Sequence, residues 1–154
     1  MSDWRLPWVG GCRCGATRVA IDRPPLLSAA CHCAGCRRMS ASAFSLTLSI
    51  PSEGFSVTQG APVLGGLKGA DRHSFCPACL SWMFTRPEGL DWIVNLRVPA
   101  LDDPLWVAPF MEVWTRDAFP WARTGAARRF DTQPEEAEFA GLLEAFAREG
   151  ARPT

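Results

Sequence analysis

Long apolar runs are missing from this sequence. No stretch approaches the ~18 uninterrupted apolar residues of a membrane span, so no membrane association is expected. A secretory leader is not legible either: Asp3, Arg5 and Pro7 break up Trp4, Leu6, Trp8 and Val9, which leaves no signal-peptide core. Net charge is zero, with 16 Lys and Arg against 16 Asp and Glu. A nucleic-acid module usually carries a dense basic patch, so nucleic acid is not an expected partner. There is no low-complexity tract and no repeat beyond pairs of cysteines. The 154 residues therefore read as a single domain, 1–154, long enough for a real core. Tyrosine is absent and lysine occurs once against fifteen arginines, a bias with no physical reading. The expected location is the cytoplasm, where thiols stay reduced.

Cysteine is where the sequence is rich, and none of the seven lies outside three tight clusters. These are Cys12-Arg13-Cys14, Cys31-His32-Cys33-Ala34-Gly35-Cys36 and Cys76-Pro77-Ala78-Cys79. An odd count at one- and two-residue gaps makes a poor disulfide framework and a good metal framework. A C-x-x-C turn lets two sulfurs converge on one ion while backbone N–H groups point at the thiolates. Neither short pair completes a tetrahedron alone. Cys12 and Cys14 with Cys76 and Cys79 would do so, closing a long loop as a structural zinc does. Cys31, Cys33 and Cys36 would then hold a second zinc with a free fourth position. Spacing alone does not fix this partition, because His32 or His73 could complete a second closed site. Charge is unevenly placed, with a surplus of four positive charges in residues 1–100 and four negative in residues 101–154. Seven thiolates around two zinc ions would carry about three negative charges, which the basic first part offsets.

The first hundred residues read as β-rich. Phe44, Leu46, Leu48 and Ile50 alternate with Ser45, Thr47 and Ser49, a period of two. Val19 with Ile21, Phe55 with Val57, and Trp92, Val94 and Leu96 follow the same rule. Turn signals separate them, among them Pro24-Pro25, Gly65-Gly66 and Pro87-Glu88-Gly89. Short strands with frequent turns predict a small sandwich, barrel or stacked-sheet arrangement. Residues 101–125 hold Trp106, Phe110, Trp114, Phe119 and Trp121 among prolines. They read as an irregular segment laid over the sheets, with its aromatics covering the core rather than forming a ligand-stacking wall. The tail predicts a C-terminal helix over about 134–149, capped by Asp131 or Thr132. Pro134 suits its first turn and Glu135, Glu136 and Glu138 its positive end. Its stripe of Phe139, Leu142, Leu143 and Phe146 is expected to dock on the domain, with a homo-oligomer contact as the alternative.

The three clusters, taken in order, resemble those of the glutathione-dependent formaldehyde-activating enzyme family, which shares its domain with centromere protein V. The residues that carry the likeness are Gly10-Gly11-Cys12-Arg13-Cys14-Gly15-Ala16, Cys31-His32-Cys33-Ala34-Gly35-Cys36-Arg37-Arg38 and Ser74-Phe75-Cys76-Pro77-Ala78-Cys79, with a weaker match at Ala100-Leu101-Asp102-Asp103-Pro104. It spans residues 10–121. The resemblance implies a mainly β, Mss4-like arrangement of coiled antiparallel sheets stapled by zinc. It implies a structural zinc on Cys12, Cys14, Cys76 and Cys79 and a catalytic zinc on Cys31, Cys33 and Cys36. The implied activity is that of a carbon–sulfur lyase run in reverse, adding glutathione to formaldehyde to give S-hydroxymethylglutathione. Two departures stand out: Leu80 replaces the glycine that usually follows the last cysteine, and Met39-Ser40-Ala41-Ser42 lacks the glycine often found after the double arginine.

On this reading the open site would bind a substrate thiol and lower its pKa for attack on a small aldehyde. Arg37 and Arg38 would hold glutathione's carboxylates or offset the zinc–thiolate charge. His32, between two ligands, must point away from the metal, which suits a supporting or surface role better than a proton shuttle. The alternative is a zinc-stabilised protein-binding module without catalysis, since fold does not fix function. The ligand count at the second site separates the two.

Overall fold

The computed structural model describes residues 3–67 and 69–154. Met1, Ser2 and the lone lysine, Lys68, lie outside the described residues. In chain order the elements are β1 (Trp8–Gly11), β2 (Arg18–Ile21), β3 (Leu27–Cys31), α1 (Ala34–Ser40), β4 (Ser45–Pro51), β5 (Phe55–Gln59), β6 (Val63–Leu64), β7 (Arg72–Phe75), β8 (Trp82–Arg86), β9 (Ile93–Arg97), β10 (Met111–Val113), β11 (Arg128–Arg129) and α2 (Phe139–Glu149). The strands form a three-stranded sheet, β1-β2-β5, and an eight-stranded sheet, β11-β10-β3-β4-β9-β8-β7-β6. The mainly β architecture is as expected. Most ladders are antiparallel, but β10 runs parallel to both β3 and β11. Among the described residues no helix is long and apolar enough to cross a membrane.

The alternation in β4 does what its period demands, in one respect. Leu48 and Ile50 are fully buried and pair with Leu96 and Val94 of β9. Phe84 of β8 continues that row and meets Phe55 of the small sheet at 4.8 Å between ring centroids. Each such aliphatic side chain contributes roughly 1.5–3 kcal/mol by leaving water. The other face carries Ser45, Thr47, Ser49, Asn95 and Arg97, and it is not a solvent face. Ser45, Thr47 and Arg97 are buried, and α1 packs on β4. The strand expected to begin at Trp92 begins instead at Ile93, and Trp92 stays exposed.

At Gly10 the backbones of β1 and residues 100–101 come together. Gly10 bridges Leu101, and a Cβ there would lie 2.1 Å from the Ala100 carbonyl oxygen. This explains the glycine in the first motif and the placement of the Leu101-Asp102 segment beside it. Asp102 then pairs with Arg18, at 3.0 Å from Nη1 to Oδ1.

Two expectations about the second half need correction. Residues 101–125 are not wholly irregular, because Met111–Val113 enters the large sheet as a strand beside β3. The C-terminal α-helix starts at Phe139, after a 3-10 turn at Glu136–Glu138. Asp131 and Thr132 do not cap it, because they lie ahead of that turn, whose N-cap is Glu135. Glu135 and Glu138 form a reciprocal capping box on the 3-10 turn that leads into α2. The apolar stripe docks on its own domain as expected. Leu142 and Phe146 are buried, and Phe146 stacks on Trp4 and meets Phe110 edge-on.

Candidate metal centres

The first and third clusters converge across the fold. The sulfurs of Cys12, Cys14, Cys76 and Cys79 all lie within 4.8 Å of one another. Two turns of similar form present them. In one, the Cys12 N–H donates to Thr17 and the Gly15 N–H to the Cys12 carbonyl; in the other, the Cys76 N–H donates to Ser81 and the Leu80 N–H to the Cys76 carbonyl. The Thr17 N–H also points at the Cys12 sulfur, 3.3 Å away. The hydroxyl and N–H of Ser81 hold the Cys79 thiol down to about 5. At Cys14 the Ala16 N–H favours the thiolate, but the sulfurs of Cys12 and Cys79 outweigh it and push the thiol up to about 11. A cluster in which some sulfurs keep protons that others accept is one a thiophilic cation fits, by replacing those protons.

The middle cluster forms a second group, with the sulfurs of Cys31, Cys33 and Cys36 within the same 4.8 Å limit. Cys31 ends β3, and Cys33 caps the N-terminus of α1, accepting from the Cys36 N–H at 3.4 Å. The helix was not legible in the sequence, and it makes the sulfurs converge. The Cys31 and Cys36 thiols, with the N–H groups of Cys36 and Gly35, hold Cys33 well below the usual thiol range. Cys31 is correspondingly pushed up, by its hydrogen bonds to Cys33 and Cys36 and by burial. Among the described residues, no fourth Cys, His, Asp or Glu joins this group.

Neither histidine is a candidate ligand here. His32 follows Cys31 on the strand and so faces the other side of the sheet. It is fully buried and bonds through Nε2 to Glu112 Oε1 at 2.8 Å. Glu112, equally buried, also binds Arg129. His32 thus supports the segment from behind and has no surface role. His73 bonds through Nδ1 to Thr85 at 2.8 Å, and burial lowers its pKa. Glu112 was missed in the sequence; its one signal was a lone acid between Met111 and Val113.

Arg37 and Arg38 lie in the last turn of α1, where cations suit the helix dipole. They border an open cleft of about 610 Å³ with Ala34, Ser42, Phe119 and Trp121. Phe119 and Trp121 stack at 5.6 Å with planes 3° apart, and the Arg37 guanidinium sits 4.9 Å from the Phe119 centroid. Trp106, Phe110 and Trp114 pack against the core as expected. Phe119 and Trp121 do not: Trp121 is 75% exposed and with Phe119 forms a wall of the cleft.

Both departures from the family pattern fall where a glycine would be at ease. Leu80 has φ 59° and Ala41, the C-cap of α1, has φ 49°. The turns keep their left-handed residue and carry its steric cost.

A comparison with curated proteins gives no match. Among solved structures, the chain is similar to a crystal structure of a Rhodobacter sphaeroides protein, with 20% identity, a TM-score of 0.49, and coverage of 61% of this chain and 87% of that one. The model of the glutathione-dependent formaldehyde-activating enzyme family matches residues 7–117, a span that contains all seven cysteines. By that match, the chain belongs to the glutathione-dependent formaldehyde-activating enzyme family.

Proposed function

We propose that this protein is a zinc-dependent carbon–sulfur lyase-type enzyme that works in the direction of synthesis. Glutathione, or a related thiol, adds to formaldehyde or another small aldehyde to give an S-hydroxymethyl adduct. The observation that carries the reading is the inequality of the two sulfur groups, four against three, with no fourth Cys, His, Asp or Glu at the second among the described residues. Cys12, Cys14, Cys76 and Cys79 would hold a structural zinc, and Cys31, Cys33 and Cys36 a catalytic one. Zinc at the three-sulfur site would supply the positive charge that keeps a substrate thiol ionised near neutral pH.

The chain's own groups do the rest. Arg37 and Arg38 face the cleft with charge suited to glutathione's carboxylates, and Phe119 with Trp121 gives its backbone a flat wall. The Cys36 and Gly35 N–H groups hold the Cys33 thiolate in place. His32, Glu112 and Arg129 fix the strand end from the opposite face. A cytoplasmic setting, where thiols stay reduced and glutathione is present, suits both cysteine sets.

The test is glutathione-dependent loss of free formaldehyde followed by NMR. Wild type should exceed the spontaneous rate, and Cys33→Ser should fall to it. A wild-type rate equal to the spontaneous one would contradict the named reaction, and folded protein with two closed sites would favour a binding module.

A further inference from the structure

Arg97 stands on the large sheet's polar face, and its charge is buried. It is 8% exposed, and among the described residues it has no carboxylate partner. Nε has no hydrogen-bond partner. Nη2 donates to the Asn95 carbonyl at 3.2 Å, and the Trp82 ring centroid lies 4.1 Å from the guanidinium carbon. A buried cation normally has an anion close by, because leaving water unpaired is costly. The ring supplies part of what is missing.

Cys31, whose sulfur a bound cation would ionise, is on the same face. Arg97 pairs with Thr47, Thr47 with Ala29, and Ala29 stands two residues before Cys31 on β3. Residues two apart on a strand share a face. Burial lowers the Arg97 pKa, and the Cys36 and Cys31 sulfurs, once ionised, oppose that fall. The Ser45 hydroxyl on this face reaches towards Cys36 without a hydrogen bond of ordinary geometry. With a divalent ion in place, three thiolates leave one net negative charge, and an incoming thiolate would make it two. Arg97 matters at that second charge, since it offsets an anion that the site would otherwise repel.

We propose that Arg97 is the built-in counter-charge of the Cys31, Cys33 and Cys36 site, selecting an anionic thiolate over a neutral fourth ligand. The inference rests on the open-site reading above. On binding, the thiol's proton leaves to solvent, the new bond forms at the fourth position, and Arg97 stays charged. It is a specificity residue that touches neither thiol nor ion.

The test is ligand binding to cobalt-substituted protein, read by the visible absorption of the cobalt. Two ligands are titrated into wild type, Arg97→Lys and Arg97→Met. One is 2-mercaptoethanol, a thiol without carboxylates; the other is imidazole, a neutral ligand. Arg97→Met should weaken mercaptoethanol binding by about tenfold or more and leave imidazole binding within about twofold. Arg97→Lys should restore most of the thiol affinity. Equal loss for both ligands would mean a merely structural role and overturn the inference. So would unchanged mercaptoethanol binding with weakened glutathione binding, which would make Arg97 a carboxylate anchor. A wild-type spectrum that responds to neither ligand would instead overturn the open-site reading, and the inference with it.

Discussion

The two sulfur groups differ in how the chain assembles them. The four-sulfur group joins Cys12 and Cys14 to Cys76 and Cys79, so it closes more than sixty residues of chain and ties β1 to the β7–β8 hairpin. The three-sulfur group draws on six consecutive residues that a strand end and a short helix already hold. An ion at the first site therefore constrains the unfolded chain strongly, and an ion at the second hardly does. Their surroundings differ in the same sense. The first has hydroxyl and backbone donors, and its nearby cation, Arg18, is half-buried and already engaged by Asp102. The second has, on the same sheet face, the buried Arg97 guanidinium, which pairs with no acid among the described residues. One arrangement suits holding the fold, and the other suits exchanging a ligand.

The largest effect should separate the two sites outright. Cys76→Ser should lose the structural ion, whose binding contributes on the order of 10 kcal/mol to folding, and give unfolded or aggregated protein by circular dichroism. Cys33→Ser should lose one zinc per chain by elemental analysis and stay folded. Equal unfolding of both would erase the distinction.

A smaller effect probes the support behind the three-sulfur site. Glu112→Gln breaks a buried pair with His32 and Arg129. It should cost about 1–3 kcal/mol in urea denaturation and loosen zinc at this site before the other. Loss from the four-sulfur site first would contradict the assignment of the triad to the strand end.

The two left-handed residues give a matched pair, one at each site. Leu80→Gly and Ala41→Gly should each stabilise by about 1 kcal/mol, seen as higher melting temperatures. A destabilised Leu80→Gly would mean that the leucine side chain contributes contacts beyond its turn, although it is 69% exposed.

Much of this was legible before any coordinates, and the rest was not, for identifiable reasons. The cysteine spacings signalled metal ligands, and Leu48, Ile50, Val19 and Ile21 were recognisable as buried strand residues because period two needs no tertiary knowledge. Helix α1 was hidden because its seven residues carry no apolar stripe; a cysteine caps it and the β4 face covers it. Arg97 follows Leu96 at the end of an ordinary alternation, where period two alone puts a polar residue outward. Only the eight-stranded sheet, which sets Trp82 over the guanidinium, makes its position interior. Glu112 lay in a proline- and tryptophan-rich stretch, and its strand exists through long-range pairing with β3, which local pattern does not reveal. The partition of the cysteines was open on spacing alone. The sulfur distances now group them four and three, and neither His32 nor His73 joins.

The smallest effect concerns His73, on the three-sulfur side of the sheet. Burial lowers its folded pKa below the ordinary 6.5, so the unfolded chain binds the proton more readily. Its contribution to stability is complete above pH 6.5 and is lost as pH falls from there through the folded pKa. Proton NMR of the ring should show an apparent pKa below 6.5, and Thr85→Val, which removes its hydroxyl partner, should change it. A pKa above the ordinary value would place an anion against the ring and revise the charge picture around the three-sulfur site.

The most direct test of four sulfurs against three is zinc X-ray absorption on protein carrying two zinc ions. Four sulfurs at one zinc and three at the other give an average of about 3.5 per zinc with a lighter atom completing the shell, rising to about 4 when glutathione is added. A shell that glutathione leaves unchanged would mean that both sites are closed and would contradict the account.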